Sequence, residues 1–156
     1  MNDSAAPHHR TVYAEDLTIG QTLTLGSHTV SEDEILDFAT QWDPQWFHTD
    51  KKAAESGVFG GLIGSGVHTL AICQKLVVAS IFDRWHVIAG KSMRDVRFLR
   101  PLRPGDTLTG ELTVDNVVLD NRSRGLVTTT AQLVDSHGNR MFEVVTEAYL
   151  HCRPTP

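Results

Sequence analysis

Apolar positions recur with two different periods along this chain, and the change between them divides it roughly in half. Ile35, Leu36, Phe38, Ala39 and Trp42 fall at helical spacing, which predicts an amphipathic helix with one buried face. Ser31 precedes it with Glu34 three positions on, and Val30 and Ile35 flank the start. This is the pattern of a capping box with its hydrophobic staple. Pro44 disfavours helical geometry at the residue before it, so the helix is expected to stop at Asp43 and an irregular segment to follow. A second helix is predicted from Ser65 or Gly66 to about Phe82. Its apolar residues, from Val67 and Leu70 to Ala79 and Ile81, cover nearly the whole circumference. A helix of that kind belongs inside a protein, and at this length it would span roughly 25 Å.

After Trp85 the period becomes two. Leu108, Gly110, Leu112 and Val114 alternate, then the phase slips to Val117 and Leu119, which predicts a bulge near Asp115 and Asn116 inside one long strand. Turns at 121–125 and 136–139 separate it from two further alternating runs, Val127 to Leu133 and Phe142 to Leu150. Shorter strands are expected at Thr22 to Val30 and Val87 to Phe98. The pattern predicts an α+β protein, an antiparallel meander around one central helix. Its 156 residues suit a single domain over residues 11–152, with a flexible leader over 1–10 (including His8 and His9) and an unstructured tail over 153–156.

Composition removes several function classes. A formal charge of −5 disfavours non-specific nucleic-acid binding, which depends on neutralising phosphates. The two cysteines, Cys73 and Cys152, form no CxxC pair, which argues against a disulfide scaffold or a structural zinc site. No run is long and clean enough for a membrane span, and residues 1–10 lack a signal-peptide pattern, so a cytoplasmic location is expected.

The chemistry-bearing stretch is Trp42-Asp43-Pro44-Gln45-Trp46-Phe47-His48. It sets a carboxylate and an imidazole five residues apart in a segment leaving a helix. Close behind comes Phe59-Gly60-Gly61-Leu62-Ile63-Gly64-Ser65-Gly66, a glycine-rich approach to the start of the second helix. Glycines admit a ligand close to the backbone, and a helix N-terminus offers unpaired N–H groups. An acid/base pair beside such donors suits proton chemistry next to a carbonyl. Read singly, each residue has a plainer account. Asp43 can simply open a turn, His48 can be a structural histidine, Ser65 is an N-cap first, and Cys73 is a small core residue. His68 is read as packing or hydrogen-bonding within the second helix. A metal site from His48, Asp50 and His68 has no recognised ligand spacing behind it. Asp43, at a helix C-terminus, is expected to have a raised pKa. Arg94, Arg97, Arg100 and Arg103 form a basic run that reads either as a solvated strand edge or as a site for phosphates.

These two stretches resemble the signature of MaoC-like dehydratases, which include the (R)-specific enoyl-CoA hydratases. Asp16-Leu17-Thr18-Ile19-Gly20-Gln21 and the segment from Val96 to Leu108 resemble the same family, so the likeness runs over most of the chain. It implies a hot-dog fold, an antiparallel sheet wrapped around a long central helix, in a protein that forms homodimers or assemblies of dimers. It also implies reversible hydration of a trans-2-enoyl thioester, with coenzyme A the expected carrier and no metal or cofactor. Asp43 and His48 would be the acid/base pair, and Gly64, Ser65 and Gly66 would bind the thioester oxygen. On the phosphate reading of the basic run, Arg94, Arg97 and Arg100 are the residues that would meet coenzyme A phosphates. Trp42, Gln45 and Trp46 replace the glycine, asparagine and proline of the stricter family pattern, so Trp42 and Trp46, with Phe47, are expected to reshape the acyl pocket. A thioesterase or a non-catalytic acyl-thioester-binding subunit on the same fold is the alternative.

Overall fold

The computed structural model describes residues 10–155; His8 and His9 and most of the expected leader lie outside that range. Ser31 caps helix α1 (Glu32–Trp42), its Oγ accepting from the amide of Glu34 at 3.1 Å. The reciprocal half of the expected capping box is replaced, because the Glu34 carboxylate is turned to His28 and His68. The buried stripe of α1 is also narrower than its periodicity predicts. Ile35 and Ala39 are enclosed, whereas Trp42 is 71% exposed. The segment expected to be irregular folds into two short helices, α2 (Trp46–Thr49) and α3 (Lys51–Glu55). Asp50 caps α3 by accepting from the amide of Ala53 at 2.9 Å.

Helix α4 (Gly66–Val77) continues through a π turn over Val78–Phe82. Ile72, Cys73, Leu76 and Val77 pack against Leu112, Val127, Ala131 and Val144 of the sheet. Its burial is one-sided, not all round. Val67 and Val78 remain 53% and 44% exposed, because sheet and α1 cover two flanks of the helix and leave another open.

The strands are β1 (Thr22–Thr24), β2 (His28–Thr29), β3 (Val87–Phe98), β4 (Thr107–Leu119), β5 (Arg124–Val134) and β6 (Arg140–His151). They form one antiparallel sheet in the order β1-β4-β5-β6-β3, with β2 also on β4. The expected strand from Thr22 to Val30 is therefore split in two. The expected bulge is present as a register shift between Val114 and Asn116. The simple meander holds for β4, β5 and β6 only. β3 precedes β4 in sequence yet occupies the opposite edge, so the connection over residues 99–106 must cross the sheet. That crossing passes the start of α4, where the Leu102 carbonyl accepts from the Gly64 amide at 2.7 Å.

The C-terminus is held further than expected. The Cys152 amide donates to the Ser123 carbonyl at 2.9 Å, and the Arg153 guanidinium reaches Asp16 at 2.7 Å. Among the described residues, no helix is long and apolar enough to cross a membrane.

Candidate active site

Three pieces of backbone meet at one cavity: the end of α1, the short helix α2, and the first residues of α4. Asp43 leaves helical geometry at φ −154° and ψ 69°, as the following proline requires. Helix α2 then turns His48 inward, to 5% exposure. The His48 Nδ1 contacts the Ile63 carbonyl at 2.7 Å. A carbonyl only accepts, so Nδ1 carries a proton, and it is Nε2 that can take up or give a proton. That Nε2 lies 3.5 Å from Asp43 Oδ2.

The carboxylate of Asp43 is supplied with donors. The Ser65 hydroxyl donates to Oδ2 at 2.7 Å and the Gln45 amide donates to Oδ1 at 2.9 Å. These bonds, Ser65 first and Gln45 second, hold the Asp43 pKa below the usual carboxylate value despite partial burial, and His48 adds to the effect. The raised pKa expected from the helix C-terminus is thus reversed. Two directed hydrogen bonds to the charged form outweigh a diffuse dipole end.

Ser65 performs two tasks at once. Besides donating to Asp43, its oxygen accepts from the Val67 amide at 3.2 Å and so caps α4. Its hydroxyl is therefore occupied and does not face the cavity as a thioester ligand. The Gly64 amide is occupied too, by Leu102, which removes it from the expected set of oxyanion donors. Gly66 differs, because the first amides of a helix have no intrahelical acceptor. Both glycines are required by close approach. A Cβ at Gly64 would come within 2.7 Å of the Leu102 side chain, and one at Gly66 within 2.9 Å of the Phe98 ring.

The cavity has a volume of about 460 Å³ and is lined by Asp43, Phe47, His48, Phe59, Gly66, Phe98 and Arg100, among others. Of the three aromatic residues expected at an acyl pocket, only Phe47 lies on it. Trp42 faces a separate groove between α1 and α4, and Trp46 sits behind Phe47. Of the three arginines expected at phosphates, only Arg100 borders the cavity. Arg94 pairs with Asp95 at 3.1 Å, and Arg97 is exposed on β3 opposite Glu143; both fit the solvated-edge reading. Arg103 donates to the Phe59 carbonyl at 2.7 Å and so fixes the loop above the cavity.

His68 forms part of a second cluster. Its Nε2 meets Glu34 Oε1 at 3.1 Å, and His28 Nε2 meets the same oxygen at 2.8 Å. His48, Asp50 and His68 thus have separate partners and do not converge. Burial pushes the Cys73 thiol up to about 12, which keeps it a protonated core residue. Gln45 is the contributor that the sequence did not mark as functional. Its signal in the sequence was its place two residues past the aspartate, where it stands for the asparagine of the stricter family pattern.

An antiparallel sheet around a central helix, with a carboxylate and an imidazole converging beside that helix's start, is the architecture of a hot-dog-fold protein. The MaoC-like domain model matches residues 15–136, and the chain belongs to that family. The chain is 34% identical to the uncharacterised protein YdeM of Bacillus subtilis (strain 168) over 129 residues, 83% of this chain and 92% of that one. It is 32% identical to the MaoC-like dehydratase from Rhodospirillum rubrum, whose structure superposes with a TM-score of 0.83 over 92% of this chain and 99% of that one. The R-hydratase PhaJ1 from Pseudomonas aeruginosa shares the fold, with a TM-score of 0.70 at 21% identity over 93% of this chain and 88% of that one.

Proposed function

We propose that the protein is a hydro-lyase that adds water reversibly to a trans-2-enoyl thioester, with coenzyme A as the carrier. The observation that carries this reading is the 3.5 Å gap between Asp43 Oδ2 and His48 Nε2 at the cavity wall. The gap is too long for a strong direct hydrogen bond, and both atoms accept. A water molecule beside them can donate one proton to each and turn its own lone pair outward.

Water adds to the β-carbon of the enoyl group, which conjugation to the thioester makes electrophilic. His48 Nε2 takes one proton from the water as its oxygen bonds to the β-carbon. The ionised Asp43 orients that water and steadies the imidazolium formed. Electron density moves through the α-carbon to the thioester oxygen, where the Gly66 amide at the start of α4 supplies a donor. The imidazolium then returns a proton to the α-carbon, so that H and OH have been added across the double bond and the base is restored. Arg100 at the rim suits a coenzyme A phosphate. The edge strand β3, with Ile88 and Met93 exposed, would pair with a second copy of the chain.

Loss of enoyl absorbance on mixing the protein with crotonyl-CoA, without release of free thiol, tests the reading. Thiol release from acyl-CoA would replace it with a thioesterase. Binding without turnover across a panel of enoyl thioesters would reduce it to a binding subunit.

A further inference from the structure

The apolar lining of the cavity does not end at Phe47. Behind that ring lies a second pocket of about 160 Å³, walled by Trp46, Phe47, Ala54, Gly57, Val58 and Phe59. Phe47 and Phe59 border both spaces. The rings follow one another from the proposed acid/base pair into this pocket. Phe47 stands edge-on to His48 at 4.5 Å between centroids, and Trp46 stands edge-on to Phe47 at 5.3 Å. No charged side chain lines the second pocket.

Its walls are held in place by specific contacts. The Trp46 indole lies over Gly57 so closely that a Cβ there would come within 2.9 Å of the ring. The Arg103 guanidinium anchors the Phe59 carbonyl at 2.7 Å on the opposite side. Yet the rim is left to water, with Val58 98% exposed and Trp46 52% exposed. Apolar surface of this kind gains most from an apolar group laid against it.

We propose that this pocket receives the far end of the acyl chain, so that the protein favours thioesters with acyl groups longer than four carbons. The proposal rests on the acyl-thioester reading above and names the substrate class within it. With the β-carbon beside Asp43 and His48, a short acyl group ends at Phe47, and only a longer one passes Phe47 and Phe59. The departure from the family pattern at Trp46 then has a role. It is the outer wall of a tail compartment and does not obstruct the reacting centre.

The test is calorimetric titration of the full chain with butanoyl-CoA and octanoyl-CoA, saturated thioesters that cannot be hydrated. The wild-type protein is expected to bind octanoyl-CoA about tenfold or more tighter than butanoyl-CoA, since each added methylene leaves water. Trp46→Ala is expected to cut that ratio to about threefold or less. Val58→Asp, at a position too exposed for folding to depend on it, sets a charge at the rim and is expected to cut the ratio as well. A ratio near one in the wild type, failure of octanoyl-CoA to bind, or an undiminished ratio in both variants would overturn the proposal; the last would leave the apolar rim as a contact for another protein surface. Because the readout needs no turnover, loss of the hydratase reading in the crotonyl-CoA assay with the length preference intact would leave the tail pocket standing.

Discussion

Among the described residues two carboxylate–imidazole groupings stand out, one at each end of α1, and they differ in how their hydrogen bonds are spent. At the N-terminal end, Glu34 is held directly by His28 at 2.8 Å and by His68 at 3.1 Å. His68 is stacked on Phe38 at 4.4 Å with the rings nearly parallel. At the C-terminal end, Asp43 takes its short bonds from a hydroxyl and an amide, and His48 stands 3.5 Å away with its other nitrogen tied to the backbone. In the first grouping both rings close directly on the carboxylate and tie α1 to β2 and α4, while His68 Nδ1 is left buried without a partner and the groove between α1 and α4 runs past it. The second keeps one acceptor of each partner open beside a cavity. What makes a carboxylate and an imidazole available for proton transfer is the presence of neutral donors that orient the pair without consuming it.

Exchanging the roles of these groupings by mutation should expose the difference. The largest effect is expected at the open pair. Asp43→Asn or His48→Gln should lower kcat/KM on crotonyl-CoA by about 10²–10⁴-fold, with the melting temperature close to that of the wild type. Unchanged hydration in either purified variant would take that residue out of the mechanism. Ser65→Ala comes next, because it removes both a helix cap and the donor with the largest hold on Asp43. The loss of the cap should cost about 0.5–2 kcal/mol by denaturant titration. The Asp43 carboxyl should also titrate at higher pH once it loses that donor; an unmoved carboxyl titration followed by NMR would show that Ser65 does not hold it.

At the closed grouping the expected effect is on stability alone. Glu34→Gln should cost about 1 kcal/mol, a figure that allows for the partial exposure of the carboxylate. Turnover should stay within about twofold of the wild type; a large fall in kcat would erase the distinction between the two groupings. The smallest effect is a pH dependence. Burial holds the His68 pKa below its ordinary 6.5, outweighing the opposing pull of Glu34. The unfolded chain therefore binds a proton that the folded one resists. The stability tied to neutral His68 is complete above pH 6.5 and is lost as pH falls through the lower folded value. Glu34 and Asp43 are shifted below 4.5 and 3.8, so they act only in more acid solution. Melting temperatures between pH 7.5 and 5.5 should fall less steeply in His68→Leu than in the wild type, and parallel slopes would refute the assignment.

Local periodicity and spacing made much of the fold legible. The start of α1 at Ser31 and its end at Asp43, and the bulge between Val114 and Asn116, follow from capping, proline geometry and alternation, which act over a few residues. The neighbourhood of Asp43 and His48 was legible for the same reason, since the two lie five residues apart. The roles of Gln45 and Leu102 were not. Gln45 works through its orientation toward Asp43, and Leu102 through a carbonyl 38 positions from the amide it accepts. Trp42, Arg94 and Arg97 were marked by residue type and neighbourhood in sequence, but the end of α1 and the course of β3 direct them elsewhere, and Trp46 borders the second pocket behind Phe47 and not the cavity itself.

By itself the sequence determined where helices begin and stop, which half is strand, and which family the motifs resemble, because these depend on patterns repeated over neighbouring residues. Tertiary structure alone decided that β3 lies at the far edge from β4, and that Gly64 spends its amide while Gly66 does not. It also decided that Asp43 is ionised by two donors, one of them from 22 residues away. Those outcomes depend on which distant groups desolvate and bond one another, and no local pattern records that choice.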